Sequence, residues 1–409
     1  MSEDRRDPEV PSSVVTRAMV LLVSMRVVYA YNWFDVGPGL PLISRTYGGV
    51  PASEWGLLLA AFFAGAGALQ VPAGLLSRRY GTRTLSLVGA GLLGVCSLLS
   101  AIAPTFWLLL LLRALSGAGA GLFFSPAIAL VATLYPPGKR GIPVGAFSSA
   151  FAAGAGLGTF VPAVLDPIMG WEPAVALGGG AMLLLFLMGA AWVPRTPGTG
   201  PAPRGPPPPF PPPALRSRAV WGIGLAFVGL EGASLSSGQF FVPYAESATA
   251  GLGWAASLAG AVGALFVFPS LFGGPLGGRL TERFSNRRTQ MAVFTAVPAA
   301  LLALIPFAGV AGVAAIATCF SFTFGMVYAM MYVIPPYLPG LTMKDTPLAI
   351  GLLNGIQLAG GATVAFVSGW VIATYGYSKF WGVLALLVIV PLVFLLWVPA
   401  RRRSSLQSG

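Results

Sequence analysis

"GGRLTERFSNRR", Gly277 to Arg288, gathers Arg279, Glu282, Arg283, Arg287 and Arg288 into one dozen of a chain that is only 9% charged. A looser copy, "GLLSRRYGTR", runs from Gly74 to Arg83. The same short, basic, glycine-led loop is written twice, about half a chain apart. What lies on either side of each copy decides the fold.

Hydrophobic residues fill 56% of the 409 positions and 54 positions are glycine. Soluble domains are about a quarter charged, so this chain cannot cover a water-facing surface and its solvent is largely lipid. A bilayer core ~30 Å thick takes about 20 apolar residues per helix. The apolar runs are long and continuous, unlike the alternating strands of about ten residues in a membrane barrel. Helices also satisfy their backbone groups internally. Read against the polar, glycine and proline breaks, the spans are 17–42, 53–77, 84–103, 106–134, 142–165 and 174–193, then 219–244, 253–281, 289–307, 309–338, 347–374 and 380–398. The doubled loop follows the second span of each set of six.

Charge placement gives the orientation. With the N-terminus inside, the inner segments collect Arg5, Arg6, Arg17, Arg78, Arg79, Arg83, Lys139, Arg140, Arg195, Arg204, Arg216, Arg218, Arg279, Arg283, Arg287, Arg288, Lys344 and Arg401 to Arg403, and the outer loops only Arg45 and Lys379. That is the asymmetry of the positive-inside rule. The net charge of +12 then reads as topology beside an anionic inner leaflet, with no nucleic-acid partner. Residues 1–16 and 399–409 are cytoplasmic tails. The opening "MSEDRRDPEV" carries no cleavable signal pattern, so the first run is expected to be a permanent span. Between the halves 17–193 and 219–398 lies "PRTPGTGPAPRGPPPPFPPPALRSR", residues 194–218, whose proline runs predict an extended polyproline spacer.

Several chemistries drop out. There is no histidine, and Cys96 and Cys319 sit in separate apolar runs. No metal-ligand spacing, serine–histidine arrangement or nucleotide-binding loop is present. The chain is read as no enzyme, without metal or cofactor.

With twelve spans as six plus six and a doubled loop, the sequence resembles the major facilitator superfamily over 17–398. That family carries a signature close to G-x-L-x-D-R-x-G-R-[KR] after helix 2, often echoed after helix 8. The second copy supplies Gly278, Leu280, Glu282, Arg283 and Arg287, with Ser285 and Asn286 departing. The first supplies Gly74, Leu76, Arg79, Gly81 and Arg83, with Arg78 at the acidic position. "RALSGAGAG" matches the family's helix 4 arginine followed by small residues, here Arg113, Gly117, Gly119 and Gly121. The antiporter signature of helix 5 ends in Gly-Pro, and Thr159 to Pro162 lacks it, which counts against proton-driven drug export. The resemblance implies an all-α polytopic membrane protein of twelve transmembrane helices in two pseudo-symmetric halves, working by alternating access.

The doubled loop is then expected to be a cytoplasmic gate, in which a carboxylate ending one helix approaches the positive N-terminus of a helix in the other half. Glu282 would approach the start of span 5 near Lys139 and Arg140. Arg78 would pair with Asp345, which precedes Pro347 at the start of span 11. The gating set is Gly74, Arg78, Arg79, Gly81, Arg83, Gly278, Glu282, Arg283, Arg287 and Asp345.

Arg26, Asp35, Arg113 and Glu231 fall within spans, where a charge facing lipid is expensive and an interior, functional place is expected. At ~1.5 Å per residue, Asp35 and Arg113 come to the same depth, ~10 Å below the outer boundary. In the resembled fold, helices 1, 4, 7 and 10 line the central cavity, so the two can meet. A fixed salt bridge would keep Asp35 ionised, whereas a proton site would lose Arg113 in one conformation; both readings stand. Arg26 either pairs with Glu231 or receives a substrate carboxylate while Glu231 carries the proton. Tyr29, Asn32, Gln239, Tyr328, Tyr332, Asn354 and Gln357 complete a candidate pocket, with ordinary interhelical hydrogen bonding as the alternative for each.

The expectation is a secondary active transporter of a small polar or anionic organic solute, proton-coupled through Asp35 and Glu231. It is expected to be a monomer in the cytoplasmic membrane with both termini inside. The alternatives are a drug/proton antiporter and a receptor or scaffold on the same fold that no longer transports.

Overall fold

The computed structural model describes residues 12–135, 141–195, 213–249, 251–283, 286–334, 338, 340–341 and 346–399. Lys139, Arg140, Lys344, Asp345 and most of the proline-rich spacer lie outside these residues, as do the side chains of Arg78, Gly278, Glu282, Arg283 and Tyr332. The described chain is helical: α1 (Ser12–Phe34), α2 (Leu40–Thr46), α3 (Ala52–Tyr80), α4 (Thr82–Ser100), α5 (Phe106–Thr133), α6 (Gly141–Met169), α7 (Glu172–Trp192), α8 (Pro213–Arg216), α9 (Arg218–Ala226), α10 (Val228–Glu246), α11 (Ala256–Ala264), α12 (Ser270–Arg283), α13 (Arg287–Leu302), α14 (Val310–Val333) and α15 (Thr346–Ile389). Among the described residues, nine helices are long and apolar enough to cross a membrane.

Local chemistry sets the ends. Thr105 caps α5 by accepting from the Leu108 amide at 3.3 Å, and Ser217 caps α9 by accepting from Val220 at 3.4 Å. The expected first span stops early: α1 ends at Phe34, and "DVGPGLP" turns the chain into the short α2, because proline disfavours helix in the residue before it. Two expected spans are interrupted. The chain breaks at Phe227 between α9 and α10, and between Leu265 and Pro269 separating α11 from α12. Proline removes a helical donor at the second break. The α15 run bends at Gly376, whose φ of 77° suits only glycine, and continues as a 3-10 helix over Val390–Trp397. At the other extreme α6 runs on to Met169, four residues past the expected 165.

The packing repeats itself. In the first half α1 packs on α6, α3 and α4 on α5, and α4 on α7; in the second α10 packs on α15, α12 and α13 on α14, and α13 on α15. Across the halves α3 meets α15 and α6 meets α11, a pair of interfaces that the same half-to-half correspondence exchanges. Glycine allows the closest approaches. A side chain on Gly117 of α5 would run into the carbonyl oxygen of Phe62 on α3.

Contacts between the halves gather at the end that carries residues 35–51. Gly56 touches the backbone of Ala365, Gly260 faces Ala163, and Gly37 lies against Gln239. Toward the opposite end Gly74, Gly145, Gly351 and Gly355 face open space.

Candidate functional site

Arg113, seven residues into α5, and Asp35, one residue beyond α1, meet where the sequence places them at common depth. Arg113 Nη1 donates to Asp35 Oδ1 at 3.0 Å, with both residues essentially without exposed surface. Arg113 Nη2 donates to the carbonyl of Asn32 at 2.9 Å, and the guanidinium lies 4.7 Å from the centre of the Phe62 ring. That carbonyl is accessible because α1 ends just beyond it. Asp35 Oδ2 has no hydrogen-bond partner among the described residues. Half of this carboxylate is therefore tied to arginine and half is left over.

Arg26 lies two turns deeper on α1. Its guanidinium stands 4.5 Å from the ring centre of Tyr29, 4.3 Å from Phe124, 4.8 Å from Phe151 and 5.7 Å from Phe147. These rings come from α1, α5 and α6, so the first half builds an aromatic enclosure around a cation, each close ring contributing about 0.5–2 kcal/mol of attraction. Glu231 reaches this region from the second half. It is partly buried near the start of α10, its Oε2 is enclosed without a hydrogen-bond partner among the described residues, and it is near enough to Tyr29 to act on it electrostatically. The structure thus brings Arg26, Tyr29 and Glu231 to one region and Asp35, Arg113 and Asn32 to another nearer the closed end.

The remaining candidates divide. Asn32 turns from the centre toward α7, with Nδ2 donating to the Val28 carbonyl at 2.7 Å and Oδ1 beside Gly178. Gln239 is fully buried and donates from Nε2 to the carbonyl of Trp33, which joins α10 to α1 across the halves. Gln357 donates to Met331 Sδ at 3.2 Å, Tyr328 stacks on Phe324 with ring centres 5.5 Å apart, and Asn354 is partly buried on α15.

The first copy of the doubled loop shows why it needs its residues. Gly81 has φ 86° and ψ 150°, a conformation reserved for glycine, so α3 ends and α4 begins with this single residue between them. Arg83 donates from Nε to the Val193 carbonyl at 2.8 Å and from Nη2 to the Ala190 carbonyl at 2.7 Å, capping the C-terminus of α7. Arg79 lies on the exposed side against the Tyr80 ring. Gly74 borders open space, and Arg287 occupies the place in the second copy that Arg83 holds in the first.

One buried acid escaped the sequence reading. Asp166 on α6 is 4% exposed, and neither carboxylate oxygen has a hydrogen-bond partner among the described residues. The sign available was an acid beside an apolar run; ending that span at 165 hid it. No group of acids, cysteines or histidines among the described residues has a metal-binding arrangement.

A family model described as Major Facilitator Superfamily matches residues 22–344. Puromycin resistance protein pur8 of Streptomyces alboniger is 29% identical over 188 residues, 46% of this chain and 37% of that protein. The 4-hydroxybenzoate transporter PcaK of Pseudomonas putida is 31% identical over 157 residues, 38% of this chain and 35% of that protein. The matches thus span little more than a third of these relatives' length. Among solved structures, a bacterial homologue of the human lysosomal transporter Spinster, in an inward-facing and occupied conformation, superposes with a TM-score of 0.78 at 15% identity, covering 95% of this chain and 98% of that one. Identity that low speaks for the fold alone.

Proposed function

The chain belongs to the Major Facilitator Superfamily, and from that premise we propose that it moves a small anionic organic solute across the cytoplasmic membrane by alternating access, coupled to protons. In this reading the chain spans the membrane twelve times with both termini inside, as the distribution of basic residues favours. The end closed around residues 35–56 is then the outer one, and the molecule is held open to the cytoplasm.

One observation carries the anion reading: a cation, Arg26, is enclosed by Tyr29, Phe124, Phe147 and Phe151 in the first half. A flat guanidinium suits a carboxylate, and the rings around it suit an aromatic body. A 4-hydroxybenzoate transporter among the relatives agrees with that chemistry. Glu231, across from Tyr29, and Asp35, half-held by Arg113, are the proton carriers in a chain without histidine. The doubled loop serves as the inner gate, with Arg78 and Asp345 as its exchanged pair.

A second reading has its own support, because pur8, named for puromycin resistance, matches nearly half of the chain. A cationic drug exchanged for protons would use Asp35 and Glu231 and find Arg26 repulsive. Uptake of labelled 4-hydroxybenzoate and of labelled puromycin into proteoliposomes, each with an imposed pH gradient, separates the two. The expected result is accumulation of the carboxylate and its loss in Arg26→Ala. Glu231→Gln and Asp35→Asn should abolish gradient-driven accumulation yet leave downhill exchange. Puromycin flux undisturbed by Arg26→Ala, with no carboxylate flux, overturns the anion reading.

A further inference from the structure

Asp166 is the buried acid that the proposed mechanism leaves unused. It sits near the C-terminal end of α6, packed against the 35–39 turn. A side-chain carbon on Gly39 would lie 2.7 Å from its Oδ2 and 3.0 Å from Trp171 Cβ, so the niche is filled by protein on that side. The carboxyl is 4% exposed and neither oxygen finds a donor among the described residues. A buried carboxylate ordinarily recruits arginine, lysine or backbone amides, because an uncompensated charge in such a place is costly.

The charges that bear on Asp166 are all of its own sign. They are Asp35 from the end of α1, Glu172 from the first turn of α7 and Glu246 from the last turn of α10. The Tyr31 phenol lies within electrostatic range of both Asp35 and Asp166, but its hydroxyl donates to the Ala174 carbonyl at 2.9 Å and so offers no proton to either. Arg113, the partner of Asp35, is engaged with Asp35 and the Asn32 carbonyl.

Among these neighbours only Glu246 belongs to the other half. Asp35 and Glu172 travel with Asp166 when the halves move, whereas Glu246 approaches as the outer end closes and withdraws as it opens. A carboxylate shut away from water among charges of its own sign, with no donor to offset them, is stabilised by taking up a proton. A proton is the ligand that this niche lacks, and the closed state is the one that needs it.

We propose that Asp166 is a proton-binding latch, which takes a proton from outer water onto its carboxylate as the halves close at the outer end and gives it back as they part. Acid outside then favours the closed outer end. The proposal rests on the alternating-access part of the functional reading and is independent of which solute is carried or whether protons drive its accumulation.

The test uses the full chain in lipid nanodiscs, with Cys96 and Cys319 replaced by alanine and spin labels at Arg45→Cys and Thr249→Cys, two exposed positions on opposite halves of the outer end. Distances between the labels are measured from acid to alkaline pH. The wild-type background should show two populations, the shorter one growing as pH falls. Asp166→Asn should hold the shorter distance at every pH, and so should Glu246→Gln, which removes the repulsion from the other side. A pH response unchanged in both variants overturns the latch while leaving alternating access intact. A single distance at all pH values in the background overturns the latch together with the alternating-access reading. Sodium ions substituting for acid at fixed pH would also overturn it, since the niche would then be a cation site.

Discussion

Arg113 has exchanged all of its water for Asp35, one carbonyl and the face of Phe62. Breaking a buried pair by removing one partner costs about 3–5 kcal/mol, because a charge is left behind. The two removals are unequal, since a lone carboxyl can take up a proton and a lone guanidinium cannot. Asp35→Ala should therefore lower the thermal midpoint in detergent at every pH. Arg113→Ala should lower it by less, because the carboxyl left behind can be neutralised by a proton. Equal losses would contradict this reading of the pair. The meeting of these two residues was legible in the sequence from their common depth together with the resembled fold, which sets helices 1 and 4 beside one cavity. The direction of Asn32 was not, since its facing α7 depends on how α1 is rotated, which a span without polar stripes does not record. Asp166 was hidden by an adjoining Pro167 that reads as an end but lies in the final turn of α6.

Among the elements, the closest contact between α3 and α5 depends on Gly117. Replacing glycine by alanine in a helix gains about 0.5–1 kcal/mol of backbone preference. The methyl would collide with the Phe62 carbonyl, and overpacking of this kind costs about 1–3 kcal/mol. Gly117→Ala should thus be destabilising on balance in thermal unfolding, and Gly117→Leu more so; a stabilised Gly117→Ala would show that the helices part freely there. At the doubled loop, Arg83→Ala removes two bonds to the last carbonyls of α7 and should cost about 1–2 kcal/mol. Arg83→Lys should recover part of that loss through charge without the fork. No difference among the three would place Arg83 outside the fold's support. Glycine and arginine at this loop announced themselves by repetition. The breaks at Phe227 and after Ala264 did not, because an interrupted apolar run has the same composition as a continuous one, whereas the bend at Gly376 falls in the gap expected between 374 and 380.

At the scale of the molecule, the repeated packing of the halves and the single closed end form one arrangement: α3 on α15 and α6 on α11 hold the halves at the end carrying Gly56, Ala163 and Ala365. In the proposed alternating access those contacts transfer to its other end, and the charges met on the way select what is carried. The sequence made an all-helical, many-span membrane protein readable because lipid demands long apolar runs. It left the substrate unwritten, since in the proposed reading recognition rests on how Arg26, its four rings and Glu231 converge from separate helices. The most direct test is proton movement in proteoliposomes that hold a pH-sensitive dye, with no gradient imposed, when 4-hydroxybenzoate is added outside. Coupled carriage of an anion should acidify the lumen faster than in protein-free vesicles, and Asp35→Asn should remove the excess. A lumen that responds no faster than protein-free vesicles, or that turns alkaline on adding puromycin instead, would contradict a proton-coupled anion transporter.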